Sequence, residues 1–331
     1  MRGRAGRLLQ LVRQPKVAVP LLLAGGLLAA AVSLSDVPQV LARIARIPVP
    51  YLLWTLGLAA AYLALKGLQF RGFLNELRIR ARWRHVLLAY AVGELTLTLP
   101  LGIYAQNYLL QRLQGSGLYR SAAVTTLMLV FEAGLLFLVL AITGVHGWPW
   151  LRPLALACFS GLVAVVLLLT RWRGLRRGAA RVTRALKLPA RAPVEFLQAL
   201  AMLADLRILG RRGWLTVLYI AALVLAFHTI SHGVGVERLG YVQAAGVYAF
   251  SLSIALVFGG VTSQVGVVEI AGMGAAQAWG YSFTEGLAML LGFRLVWTAC
   301  IWLLCLPVLF WLRRDLVRAS ASADQLQEPA D

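Results

Sequence analysis

The sequence predicts an all-α polytopic membrane protein of about seven or eight transmembrane or re-entrant segments, and we expect no separate soluble domain. Hydrophobic residues make up 60% of the 331 residues and charged residues only 14%, whereas a soluble domain carries roughly 25% charged residues. The mean hydropathy is +0.77. The apolar residues also form continuous runs of about 18 or more, which is the length that crosses the hydrocarbon core of a bilayer.

The positive charge of the chain indicates its orientation in the membrane. The formal net charge is +19, from 32 Lys and Arg against 13 Asp and Glu. The arginines sit in short clusters beside apolar runs, with few aromatic residues among them, which favours the positive-inside rule over nucleic-acid binding. We therefore expect the basic loops in the cytoplasm, in contact with anionic lipid headgroups, and no nucleic-acid partner.

The chain begins with a basic flank, residues 1–16, that we place in the cytoplasm. The polytopic membrane domain is predicted over residues 17–312. Its first run, Val17–Leu34, leads outward, and Val49–Leu65 brings the chain back. The following loop is placed in the cytoplasm because it carries Lys66, Arg71, Arg78, Arg80, Arg82 and Arg84.

Residues 85–143 form a first broken-helix block. An apolar half-segment stops at Pro100 and Gly102, and a half-polar segment follows. If this stretch crossed the membrane once, the loop Arg171–Arg191, which contains no acidic residue, would lie outside and violate the positive-inside rule. A hairpin that enters from the cytoplasm and returns, followed by an outward span to Thr143, avoids this violation.

The second half of the chain also contains a broken-helix block. Val194–Leu209 is too polar to span and is predicted to lie in the membrane interface, and Trp214–Ser231 then runs outward. The second broken-helix block covers residues 241–311, and its first apolar segment stops at Gly259 and Gly260. Residues 313–331 are expected to form a cytoplasmic tail that is partly disordered.

The two blocks share one plan. In each, an apolar half-segment ends at glycine, a glutamine follows (Gln106 or Gln264), and a later span carries a charge (Glu132 or Arg294). Since the first block enters from the cytoplasm and the second from outside, the pattern predicts an inverted-topology repeat with a transport site near the midplane. The alternative is that glycine-rich apolar sequence resembles itself by chance.

Charged residues inside the spans are the candidates for function. A charge at mid-span, such as that of Glu132, costs roughly 2.5 to 3.5 kcal/mol to insert, so it either serves the transport path or is a protonated or paired structural carboxylate. Arg294 is its expected partner, or else extends to the interface. The predicted substrate-path residues are Glu94, Pro100, Gly102, Gln106, Glu132, Gly259, Gly260, Gln264, Glu269 and Arg294.

Motifs for cofactor chemistry are missing from the sequence. It has no P-loop, no G-x-S-x-G and no nucleotide fingerprint, so we expect neither ATP-driven transport by this chain alone nor a cofactor. His228 and His232 share a helix face but lack a third ligand, which favours packing over a metal site. The three cysteines lie in apolar runs and are expected to act as small hydrophobic residues.

The blocks Leu99–Glu132 and Phe258–Arg294 resemble the flippase-like membrane region of the lysylphosphatidylglycerol synthases, a family that includes stand-alone membrane proteins. Family members show a Pro/Gly break, a mid-span Glu-Arg pair, a Pro- and Gly-rich turn with Gly-x-x-Glu, and an Arg in the last span. The matching residues here are Pro100, Gly102, Glu132, Gly259, Gly260, Gly266, Glu269 and Arg294. Ala133 stands where the family has the Arg, and the second turn lacks proline. We expect no soluble aminoacyl-transferase domain in this protein.

This resemblance implies a flippase-like protein of the bacterial cytoplasmic (inner) membrane, with both termini in the cytoplasm. It would move a charged-headgroup phospholipid or other lipid between leaflets, with phosphate attracted by half-helix N-termini and an amine or a proton by buried carboxylates. The alternatives are a membrane glycosyltransferase or accessory factor acting on polyprenyl-linked sugars, and a non-transporting scaffold. No D-x-D-like pair stands on a predicted cytoplasmic loop, so we expect a transporter rather than an enzyme. The lipid, the driving force and the oligomeric state are left open.

Overall fold

The computed structural model describes residues 25–27, 29–97, 102–115, 117–171, 192–258 and 266–314, and every regular element among them is helical. The segment Gly25–Ser33 is bent by 94° relative to the helix Val37–Ala45 that follows it. The helices are α1 Val37–Ala45, α2 Val49–Glu76, α3 Trp83–Thr96, α4 Ala105–Gln114, α5 Leu118–Thr143, α6 Leu151–Arg171, α7 Ala192–Leu203, α8 Leu206–Gly233, α9 Tyr241–Phe258, α10 Val267–Ala278 and α11 Phe283–Trp311, with a 3₁₀ turn over Gly102–Tyr104.

Five of the described helices are long and apolar enough to cross a membrane, namely α2, α5, α6, α8 and α11. Counting the bent pair Gly25–Ser33 and Val37–Ala45 as one broken span would make six. Together with the shorter helices between them, this confirms the all-α polytopic membrane fold. The long helices are therefore formed by continuous apolar runs and not by segments in which apolar and polar residues alternate.

The first broken block folds as an antiparallel helical hairpin of α3 and α4. At its tip, Thr96 Oγ1 donates to the carbonyl of Gly102 over 2.8 Å. At its open end, Gln114 Nε2 lies 2.8 Å from His85 Nδ1, although these residues are 29 apart in sequence. The chain therefore returns to the level from which it started, as the hairpin interpretation requires. The side of the membrane from which it enters stays a prediction.

The second broken block has the same form, with α9 and α10 as its two arms. Near its open end, Tyr281 donates its hydroxyl to Gln243 Oε1 over 2.7 Å. Burial raises the pKa of Tyr281, so the phenol keeps the proton that it donates. Further in, Gly272 lies so close to Ser251 that a Cβ atom on the glycine would approach Ser251 Oγ to 2.5 Å.

The two hairpins enter the bundle from opposite ends. Each follows a 28-residue helix, α2 or α8, and these helices are antiparallel. The end of α2 contacts the start of α8, since Gln69 Nε2 donates to Thr216 Oγ1 over 2.8 Å. The start of α2 contacts the end of α8, where a Cβ atom on Gly233 would lie 3.5 Å from Tyr51. The described structure therefore contains two inverted span–hairpin–span units, α2–α5 and α8–α11.

One end of the bundle, which we call the basic end, contains the finish of α2 and the start of α8. Between α2 and α3 the chain is buried at Leu77, Ile79 and Ala81 and exposed at the alternate arginines Arg78, Arg80 and Arg82. Arg120, at the start of α5, donates to the carbonyl of Leu77 over 2.6 Å. The described arginines of the predicted cytoplasmic loop between α2 and α3 therefore lie at one end of the bundle.

Two predicted boundaries are corrected. The span predicted over Val49–Leu65 continues as α2 to Glu76, because buried residues recur along it at helical spacing. The segment Val194–Leu209 is split, since Asp205 caps α8 by accepting from the backbone N–H of Arg207 over 2.8 Å. Residues 1–16, 172–191 and 315–331 lie outside the described residues, and so do Pro100, Gly259, Gly260 and Gln264.

Candidate functional site

A cavity of about 170 Å³ lies between the two inverted units. Its charged lining side chains are Lys66 on α2, Glu132 on α5 and Arg294 on α11. Leu97 and Ile103 close it on the side of the first hairpin, and the remaining wall is aliphatic and aromatic apart from Thr298. The central cavity therefore presents charges of both signs within an apolar shell.

Lys66 joins two carboxylates from two other elements. Its Nζ lies 2.9 Å from Glu132 Oε1 and 3.6 Å from Glu94 Oε1. The side chains of Lys66 and Glu94 are each 5% exposed and that of Glu132 is 13% exposed. Because a buried charge is costly without a partner, this cluster ties α2 to the first hairpin and to α5.

Three tyrosines complete the hydrogen bonding of this cluster. Lys66 Nζ donates to the hydroxyl of Tyr62 over 2.6 Å. The hydroxyl of Tyr90 donates to Glu94 Oε1 over 2.7 Å, and that of Tyr219 donates to Glu132 Oε1 over 3.1 Å. Hydrogen bonds of this kind stabilise charged groups that have lost contact with water.

A second ion pair, Arg294–Glu269, joins α11 to the second hairpin. The other carboxylate oxygen of Glu269 accepts from the backbone N–H of Gly266 over 2.7 Å, at the start of α10. Gly266 has φ +86°, which an L side chain rarely adopts, so glycine is required at this turn. Glu269 thus fixes the N-terminus of α10 and holds Arg294 at the cavity wall.

Of the six predicted path residues that the structure describes, four lie at or beside the cavity, but their pairings differ from those expected. Glu132 and Arg294 line one cavity, as predicted, yet the expected Glu132–Arg294 pair is corrected, because Lys66 pairs with Glu132 and Glu269 with Arg294. Glu94 and Glu269 pair with the cations that line the cavity.

Gly102 and Gln106, the two predicted path residues at the first break that the structure describes, make contacts within the fold. The Gly102 carbonyl accepts the hydrogen bond from Thr96 at the hairpin tip. Gln106 is 3% exposed and donates to Thr125 Oγ1 over 2.8 Å, which ties α4 to α5. Both residues therefore hold the first hairpin in place, and neither is among the residues that line the central cavity.

Lys66 is the functional candidate that the sequence analysis placed wrongly. It was predicted in the cytoplasmic loop that follows the span Val49–Leu65, but it is 4% exposed and lies within α2. The buried positions Thr55, Ala59, Tyr62, Lys66, Gln69 and Phe73 recur every three or four residues. That periodicity was the signal that could have placed Lys66 on the buried face of a longer helix.

Residues 17–305 match the family model described as "Lysylphosphatidylglycerol synthase TM region". The chain belongs to this family. The match covers the two inverted units almost to the end of α11, so membership applies to the whole described membrane region. No functionally curated protein matches the chain.

Proposed function

We propose that this member of the lysylphosphatidylglycerol synthase transmembrane family moves a lipid with a charged headgroup between the leaflets of the membrane. The observation that carries the proposal is the central cavity, in which Lys66, Glu132 and Arg294 face the space between two inverted hairpin units. Each charge placed in hydrocarbon costs roughly 2.5 to 3.5 kcal/mol, so a headgroup needs compensating charges along its path. Cations at the wall suit a phosphate, and Glu132 suits an amine.

The two hairpins supply the moving parts in this proposal. The first is tied to α2 through Glu94 and Lys66, and the second to α11 through Glu269 and Arg294. Because the hairpins enter from opposite ends, displacing one would open the cavity toward one membrane surface while the other stays closed. Such movement of inverted repeats around a fixed site is a general form of alternating access. The acyl chains would remain in the bilayer while the headgroup crosses.

The orientation and location belong to the same proposal. With the basic end toward the cytoplasm, Arg78, Arg80 and Arg82 would lie against the anionic inner surface of a bacterial cytoplasmic membrane. Each basic side chain near such a surface contributes about 1 kcal/mol. These arginines would hold the protein in register with the leaflet from which the lipid is taken.

Lipid translocation in proteoliposomes tests the function directly. Chain-labelled fluorescent lipids with anionic, zwitterionic and aminoacylated cationic headgroups are compared by the fraction that an external reductant can quench. We expect the wild type to accelerate translocation of at least one charged lipid, and Glu132→Gln or Lys66→Gln to lose at least tenfold in rate. Glu285→Gln is the matched control, because Glu285 pairs with Arg238 at an exposed position away from the cavity. Wild-type rates equal to empty liposomes for every headgroup would refute the proposal.

A further inference from the structure

A second concave site lies on the outside of the bundle and is separate from the central cavity. It is a groove of about 310 Å³ floored by α5, with α6 and α8 as its walls. It opens sideways, since Val163 on α6 and Val217 on α8 are 40% and 52% exposed. On α5, Phe131 lines the groove while Glu132 lines the central cavity, so the two sites lie on different faces of this helix.

The groove offers only hydrocarbon to an occupant. The one hydroxyl residue among its lining residues is Thr216, which is 1% exposed and accepts from Gln69 Nε2 on the protein side. The remaining lining residues are aliphatic side chains, phenylalanines and glycines. The occupant must therefore be apolar along its whole length.

The length of the groove matches one leaflet. Its lining residues on α5 run from Leu127 to Leu138, eleven residue steps, which corresponds to roughly 16 Å of helix rise. Half of a hydrocarbon core of about 30 Å is about 15 Å. On α8 and α6 the groove lies toward the basic end, because it includes Leu209, three residues after the start of α8, and Leu167, four residues before the end of α6, whereas on α5 it runs along the middle of the helix.

The end of the groove carries the features of a membrane interface. Arg207, Arg211 and Trp214 are exposed along one face of α8, one turn apart, and Val217 continues this face at the groove wall. Arg211 also pairs with Glu76 at the end of α2, and its side chain is still 63% exposed. Trp214 is 55% exposed, and its indole N–H donates to the carbonyl of Arg211 over 3.1 Å. Arginine followed by tryptophan and then aliphatic residues is the order expected from headgroup level into hydrocarbon.

We propose that this groove binds one acyl chain of an anionic phospholipid from the leaflet at the basic end, with the lipid phosphate at Arg207 and Arg211. The lipid would be a resident one, held beside α8 whether or not the central cavity transports. The inference therefore does not depend on the proposed function.

Filling the groove tests the acyl-chain part with matched controls on the same helices. Val163→Trp and Val217→Trp place a large side chain in the groove. Val165→Trp and Leu218→Trp place it on exposed positions, 52% and 43% exposed, that are not among the lining residues. Delipidated protein in detergent is mixed with phosphatidylglycerol, and bound lipids are counted by native mass spectrometry. We expect the two groove variants to retain one phosphatidylglycerol fewer than the wild type, and the two controls to retain the wild-type number.

The headgroup part is tested by replacing the arginines and the lipid. Arg207→Gln and Arg211→Gln should each weaken phosphatidylglycerol binding about fivefold, which corresponds to about 1 kcal/mol per basic residue. Phosphatidylcholine with the same chains should compete poorly against phosphatidylglycerol. Equal lipid counts in all four tryptophan variants, or equal binding of both lipids, would overturn the proposal. A groove variant that changes the oligomeric state without changing the lipid count would assign the groove to a second copy of the chain instead.

Discussion

Replacing Lys66 with methionine removes the cation that lies between Glu94 and Glu132 while keeping an unbranched side chain of similar length. The two carboxylates are 2.9 and 3.6 Å from Lys66 Nζ, and they would be left without this partner. Breaking a buried ion pair by removing one partner costs about 3 to 5 kcal/mol. At roughly 2 °C per kcal/mol, the value for larger chains, we expect the unfolding temperature in detergent to fall by ~6 to 10 °C.

Two further variants determine whether stranded charge is the cause of that loss. Lys66→Met combined with Glu94→Gln and Glu132→Gln leaves no carboxylate stranded, so it should recover most of the lost unfolding temperature. Arg238→Met is the control, because it breaks the exposed Arg238–Glu285 pair, and exposed pairs contribute at most about 1 kcal/mol. An unfolding temperature of Lys66→Met within 2 °C of the wild type, or no recovery in the triple variant, would refute the reasoning.

Three other predictions follow from the hairpins and the ends of the bundle. Gly272→Ala should destabilise the protein by about 1 to 3 kcal/mol through overpacking, whereas Gly57→Ala, with open space around it, should stabilise it slightly in thermal unfolding. A double-mutant cycle of Glu269→Gln and Arg294→Gln on unfolding temperature should show coupling of about 0.5 to 3 kcal/mol, and strict additivity would contradict the ion pair. In a cysteine-free background, Arg80→Cys should react with an impermeant maleimide only after the cells are permeabilised, and labelling of intact cells would contradict the proposed orientation.

The membrane class, the two helix breaks and the inverted repeat could be predicted from the sequence because each of them depends on local signals. Apolar runs report span length, and Gly102 with the polar residues after it marks the end of an apolar half-segment. The hairpin interpretation also came from a global rule, the placement of basic loops. These signals do not require knowledge of which residues touch.

The partners of the buried charges could not be predicted in the same way. A mid-span Glu132 indicates that a cation must lie near it, but the choice between Lys66 and Arg294 depends on how α2, α5 and α11 are packed. Lys66 was assigned to a loop because the predicted span ended at Leu65, whereas α2 continues to Glu76. Only the three- and four-residue spacing of the buried face, which continues through Gln69 and Phe73, distinguishes a helix from a loop there.

The inverted repeat also explains why its charges differ between the two units. Tyr62 and Tyr219 each lie thirteen residues after the start of equal-length helices, and their rings touch edge to face with centroids 5.7 Å apart. Two equivalent residues that touch each other must lie close to the pseudo-twofold axis. One helical turn further along, the equivalent residues are Lys66 on α2 and Leu223 on α8, and both line the cavity. A lysine in both places would bring two like charges together in a low-dielectric interior, which is strongly unfavourable. The backbone can therefore be symmetric near the axis only if the charges are not, so a comparison of α2 with α8 for shared residues would not identify Lys66.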